Sequence, residues 1–85
     1  MKIQTTKPFD RDYDALPQLI KDRADKQFAL LLDNPNHPSL RLKKIKGHSD
    51  IWEGRITKSY RFTFQISGQM HMLRRMGTHA ILKTP

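Results

Sequence analysis

Arg55, Arg61, Arg75 and His79, in the second half of this sequence, are of types that handle phosphate. They are interleaved with strand-forming apolar residues. Tyr60, Phe62, Phe64 and Ile66 alternate with Arg61, Thr63 and Gln65, the period of a strand with one buried face. Such a strand turns Arg61 away from the core, and Arg55, Arg75 and His79 are expected to share its surface. A guanidinium is planar, stays charged and meets two phosphate oxygens at once. An imidazole titrates near working pH and so can move protons. Together these groups can cut RNA without a metal, because RNA carries its own nucleophile. The 2′-OH must lose its proton, the charge growing on phosphorus must be stabilised, and the departing 5′-oxygen must gain a proton. DNA lacks that hydroxyl, so the same chemistry selects RNA.

Other chemistries find little support. There is no P-loop, no glycine-rich dinucleotide turn and no Ser-His-Asp pattern. Only Asp50 and Glu53 are acidic beyond residue 40, too few for carboxylate-held magnesium. The spacing of His37, His48, His71 and His79 matches no zinc motif, so neither a metal nor another cofactor is expected. His48 and His71 read as structural or solvated. The chain has no cysteine, which excludes a disulfide framework and suits a reducing compartment. It shows no membrane-length apolar run and no signal-peptide core. A cytoplasmic location and no membrane partner are expected.

Charge is segregated along the chain. Residues 1–40 hold four Lys, two Arg and six Asp, which cancel; residues 41–85 carry the whole net charge of +8. One-sided charge points to a polyanionic partner. Lys43, Lys44 and Lys46 form a run that is either a solvated edge or a holdfast for RNA. Trp52 either joins the core or stacks on a base.

With 85 residues, the chain is read as one domain, residues 1–85, burying about 60–65% of its unfolded surface. Residues 1–6 read as an edge strand. Pro8 suits the first turn of a helix that carries Phe9, Tyr13 and Leu16 on one face. Pro17 ends that helix and opens the next, over residues 17–33, where Leu16, Ile20, Ala24, Phe28 and Leu31 recur at helical spacing. Asp33-Asn34-Pro35 stops it. Leu40, Leu42 and Ile45 allow a short strand. Three strands follow near 51–57, 60–66 and 70–76, with Ser67-Gly68 as a turn. The order βααβββ predicts an α+β fold: an N-terminal strand and a helical hairpin packed on a curved, mainly antiparallel sheet whose other face is partly open.

The string Lys46-Gly-x-x-Asp-x-Trp-x-x-Arg-Ile56, then Tyr60-Arg-Phe-Thr-Phe64, then Arg75-Met-Gly-Thr-His-Ala-Ile-Leu-Lys83 resembles the RelE/ParE superfamily of type II toxins. The likeness covers nearly the whole chain in element order and is sharpest over residues 44–83. The closing Arg-x-Gly-Thr-His-Ala is most like the messenger RNA interferases of the YafQ kind. The resemblance implies a toxin–antitoxin toxin that cleaves messenger RNA on the ribosome without metal and so inhibits translation. Its partners would be the ribosome, the message and an antitoxin with an acidic, partly helical segment, in a hetero-oligomer.

By the same resemblance, Arg61 contacts the scissile phosphate, Arg75 the phosphate or transition state, and His79 serves as general acid or base. Leu82 takes the place of an apolar or aromatic residue near the site. Glu53 and Arg55 stand where well-known members carry basic or histidine side chains. Glu53 is therefore either a general base for the 2′-OH or a salt-bridge partner of Arg55 or Arg61. Two alternatives share the fold: a ParE-like toxin that binds gyrase, and a non-catalytic, decayed module kept for antitoxin binding.

Overall fold

The computed structural model describes residues 2–85. Strand β1 (Lys2–Thr5) leads into helix α1 (Lys7–Asp14), and a tight turn at Pro17 leads into helix α2 (Gln18–Asp33). The short 3₁₀ helix η1 (Pro38–Leu40) and strand β2 (Lys43–Lys44) precede the long strands β3 (Ile51–Arg55), β4 (Arg61–Ser67) and β5 (Met70–Gly77). A second 3₁₀ helix, η2 (His79–Lys83), closes the chain. The α+β order expected from the sequence is present. The expected first strand begins at Met1, which lies outside the described residues. Leu40 enters η1 rather than a strand, and Leu16 falls beyond the end of α1.

Local chemistry sets the boundaries. Thr6 caps α1 through its Oγ1, which accepts from Phe9 N at 3.3 Å and donates to Arg74 O at 2.9 Å. That one hydroxyl starts the helix and ties it to β5. Tyr13 Oη donates to Asp25 Oδ1 at 2.8 Å and joins the two helices. Gly68, at φ 60°, supplies the left-handed turn between β4 and β5.

The five strands form one sheet in the order β1-β5-β4-β3-β2, with β1 parallel to β5 and every other pair antiparallel. β1 therefore is an edge strand. One face carries Phe62, Phe64, Leu73 and Met76 into the core against Phe9, Ala24, Leu31 and Leu40. Aromatic rings run through this core: Phe9 on Phe28 at 5.6 Å, Phe28 edge-on to Phe62 at 5.2 Å, and Phe62 beside Phe64 at 5.7 Å. On the opposite face η2 and the following residues cover part of the sheet. Thr63 Oγ1 donates to Pro85 O at 3.2 Å, and Ile81 is buried.

Two features control where the arginines go. Thr63 pairs with Arg75 while Phe64 pairs with Leu73, so Arg74 is an extra residue in β5, a β-bulge. The bulge puts Met76 into the core and Arg75 outside it. Beyond Thr5, α1 takes over the edge of β5. There Asp12 Oδ2 accepts from Met76 N at 3.1 Å and from Arg75 Nε at 2.7 Å. Asp12→Ala would leave both donors without that partner and is expected to cost about 1–3 kcal/mol. Asp12→Asn, which keeps an acceptor, should cost less; urea unfolding of the two variants measures the difference.

His71 lies in the sheet between Ile3 and Ile66, edge-on to Phe64 at 5.4 Å, with its Nδ1 buried and without a partner. Burial pushes its pKa below the ordinary 6.5. The unfolded chain thus binds a proton at a pH where the folded chain does not. Stability from this residue is full above about pH 6.5, falls as pH drops below it, and levels off once the folded imidazole is also charged. Denaturation midpoints of wild type and His71→Leu between pH 5 and 8 should diverge in that window; parallel curves would remove His71 as the cause.

No described helix is long and apolar enough to cross a membrane.

Candidate nucleic-acid interface

All six aspartates of the first forty residues lie on α1 and α2, whereas the excess cations lie on the sheet and its loops. The charge split along the sequence becomes a split in space. On the sheet face away from the helices, Arg55 on β3 stands opposite Arg61 on β4. Like charges in such a pair repel. With Arg41, Leu42, Lys43, Glu53 and Gly54 they line a cleft of about 330 Å³.

Each side chain there is held differently. Arg61 Nη1 donates to Thr57 O at 3.2 Å and Lys58 O at 3.3 Å, so the β3–β4 turn fixes its guanidinium. Gln27 of α2 reaches under the sheet and donates to Arg55 O at 2.9 Å, which anchors the end of β3. Loss of water, and then the fields of Arg61 and Arg41, push the Arg55 guanidinium below its ordinary value, with Glu53 acting in the opposite direction. Arg55 Nε is buried without a partner. Glu53 is only 6% exposed. Its Oε1 meets Lys43 Nζ at 3.2 Å, and its Oε2 is buried and unpaired. The ion-pair reading of Glu53 named Arg55 or Arg61 as partner; the partner observed is Lys43. The cleft therefore sets four cations around one carboxylate that has a free oxygen. An anion entering it would relieve the mutual repulsion of the guanidiniums.

Glu53 also borders a second cavity, of about 310 Å³, with Lys43, Lys44, Ile45, Lys46 and Leu82. The lysine run and Leu82 thus come together beside the cleft, although they are far apart in sequence. His79 is exposed and begins η2. It lines neither the cleft nor this second cavity.

Arg75 and Trp52 border other cavities than this cleft. Arg75 borders a separate cavity with Thr6, Pro8, Arg74, Thr84 and Pro85. It is engaged by Asp12 at 2.7 Å and by Thr84 O at 3.2 Å. The bulge at Arg74 keeps Arg75 on the open face, in register with Thr63, and the α1 carboxylate at the edge of β5 holds its guanidinium away from the cleft. Trp52 faces the helix side, stacked on Phe64 at 6.4 Å with Lys44 Nζ 5.6 Å from its ring centroid. It borders a cavity of about 470 Å³ with Arg41, His37, Ile66 and His71. Arg41 escaped the sequence reading, although it heads the basic run Leu40-Arg-Leu-Lys-Lys-Ile-Lys46. Among the described residues, no group of three or more His, Cys, Asp or Glu is placed to hold a metal.

A helical hairpin packed on one face of a five-stranded mixed sheet is the RelE/YafQ-like toxin fold. No protein-family model and no curated protein sequence matches the chain, but solved structures do. YafQ from E. coli strain BL21(DE3) superposes with a TM-score of 0.79 at 15% identity, over 94% of each chain. A YoeB/ParE toxin from Agrobacterium tumefaciens gives 0.79 at 20% identity, over 93% of this chain and 99% of that one. A chain of the RelB–RelE antitoxin–toxin complex from Methanococcus jannaschii gives 0.75 at 22% identity, over 93% of each.

Proposed function

We propose that this protein is the toxin of a type II toxin–antitoxin pair and that it cleaves messenger RNA on the ribosome without a metal. The observation that carries this reading is the cleft of Arg41, Lys43, Arg55 and Arg61 around the half-paired Glu53, on a fold shared with RelE-type toxins. Arg61, held by its turn, and Arg55 bind the scissile phosphate and stabilise the charge that grows on it. Glu53 Oε2 takes the proton of the 2′-OH, whose oxygen attacks phosphorus. The 5′-oxygen leaves with a proton from His79, giving a 2′,3′-cyclic phosphate and a free 5′-OH. Lys44, Lys46 and Leu82 extend the surface toward ribosomal RNA. Arg75 reaches phosphate only if it exchanges Asp12 for it.

An antitoxin with an acidic segment over the basic face fits the same charge distribution, and the RelB–RelE structure is an antitoxin–toxin complex. The test is incubation of the purified chain with translating ribosomes, followed by primer extension on the message and analysis of the new ends. Discrete cuts ending in cyclic phosphate are expected. Intact message would overturn the nuclease reading, and damage to gyrase-bound DNA in a parallel arm would replace it with the ParE-like one.

A further inference from the structure

Arg41 ends η1, and its backbone sits at φ 46°, ψ 49°. That is the left-handed region, which a long side chain rarely occupies. Glycine is the residue that folding favours after a helical turn of this kind. An arginine held there is strained, and such strain concentrates where a site requires it. The side chain makes no ion pair among the described residues. It lines the cleft with Arg55 and Arg61, and it also lines the Trp52 cavity, so it stands where the two meet. Its field is among those that push Arg55 down. Arg75, the second arginine expected at phosphate, is meanwhile engaged by Asp12.

We propose that Arg41 contacts the substrate: with Arg55 and Arg61 it completes a three-guanidinium site for the phosphodiester of a single RNA strand, and its left-handed backbone aims it into the cleft. This rests on the RNA-cleaving reading above. Strain in the backbone is retained because the guanidinium is needed at that point. Folding alone would be served better by glycine.

The experiment titrates a fluorescein-labelled single-stranded oligouridylate against the full chain at several salt concentrations. It compares wild type, Arg41→Gly, Arg41→Asn, Arg55→Gln and Arg61→Gln, and records a melting curve for each. Glycine and asparagine both tolerate the left-handed backbone. Both Arg41 variants should lose about tenfold in affinity, as for one hydrogen bond to a charged group. Their slope of log K against log salt should be shallower by about 0.7, the share of one phosphate on a single strand. Both should melt at or above wild type. Wild-type affinity and slope in the Arg41 variants, with weaker binding by Arg55→Gln and Arg61→Gln, would overturn the role of Arg41 and leave the cleft standing. A lowered melting temperature with unchanged binding would make Arg41 structural and overturn it as well. Equal binding by all five proteins would overturn the cleft itself.

Discussion

Glu53→Gln is expected to lower cleavage of ribosome-bound message by about 10²–10⁴-fold, the range for a lost proton-transfer group. RNA affinity should be kept or raised, because the change removes the one anion in a cleft of four cations. The carboxylate is 6% exposed, with one oxygen 3.2 Å from Lys43 Nζ and the other buried and free. A group that served only to anchor Lys43 would leave cleavage nearly intact when changed to glutamine. His79→Gln is expected to fall in the same range, and Arg61→Ala by about 10²–10³-fold through lost charge stabilisation. A substrate with sulfur in place of the leaving 5′-oxygen separates these roles, since sulfur departs without a proton. It should rescue His79→Gln and leave Glu53→Gln and Arg61→Ala slow. Full activity of Glu53→Gln on natural message would remove it as base, and failure of sulfur to rescue His79→Gln would remove His79 as acid.

Phe62→Ala is expected to cost about 3–5 kcal/mol, a large part of the stability of so small a domain. Phe62 is fully buried, edge-on to Phe28 and packed beside Phe64. It also lies where a side chain on Gly54 would project: a Cβ there would overlap the Phe62 ring and press on Leu42. Gly54→Ala should therefore cost about 1–3 kcal/mol by overpacking. The two sites are coupled, so Gly54→Ala with Phe62→Leu should lose less than the sum of the single changes. Guanidinium unfolding of the four proteins measures this coupling, and strict additivity would refute it. Gly54 lies between Glu53 and Arg55 and lines the cleft with them.

Much of the architecture is legible in local pattern. The helical spacing from Ile20 to Leu31 and the prolines at 8, 17 and 35 delimit α1 and α2, because a proline restricts both its own backbone and that of its neighbour. The alternation around Phe62 and Phe64 determines which face of β4 is buried and turns Arg61 outward, since side-chain direction in a strand has period two. The position of Arg55 opposite Arg61 follows from pairing two such strands through a short turn.

The limits appear where one residue's position depends on a distant one. Strict alternation in β5 would put Arg75 on the same face as Leu73. The bulge at Arg74 reverses that phase and sends Met76 inward. Asp12, sixty-three residues away, then engages the guanidinium. No local signal marks either event. The left-handed turn at Arg41 is equally silent, because an arginine in a basic run looks like a solvated charge until the backbone aims it at Arg55 and Arg61. The sequence by itself thus determined the elements, the buried face of the sheet and the segregation of charge, all of which depend on neighbours a few residues away. Only the tertiary structure decided which cations converge, because a slip of one residue in a strand, or one carboxylate on a facing helix, redirects a long side chain without altering the local pattern.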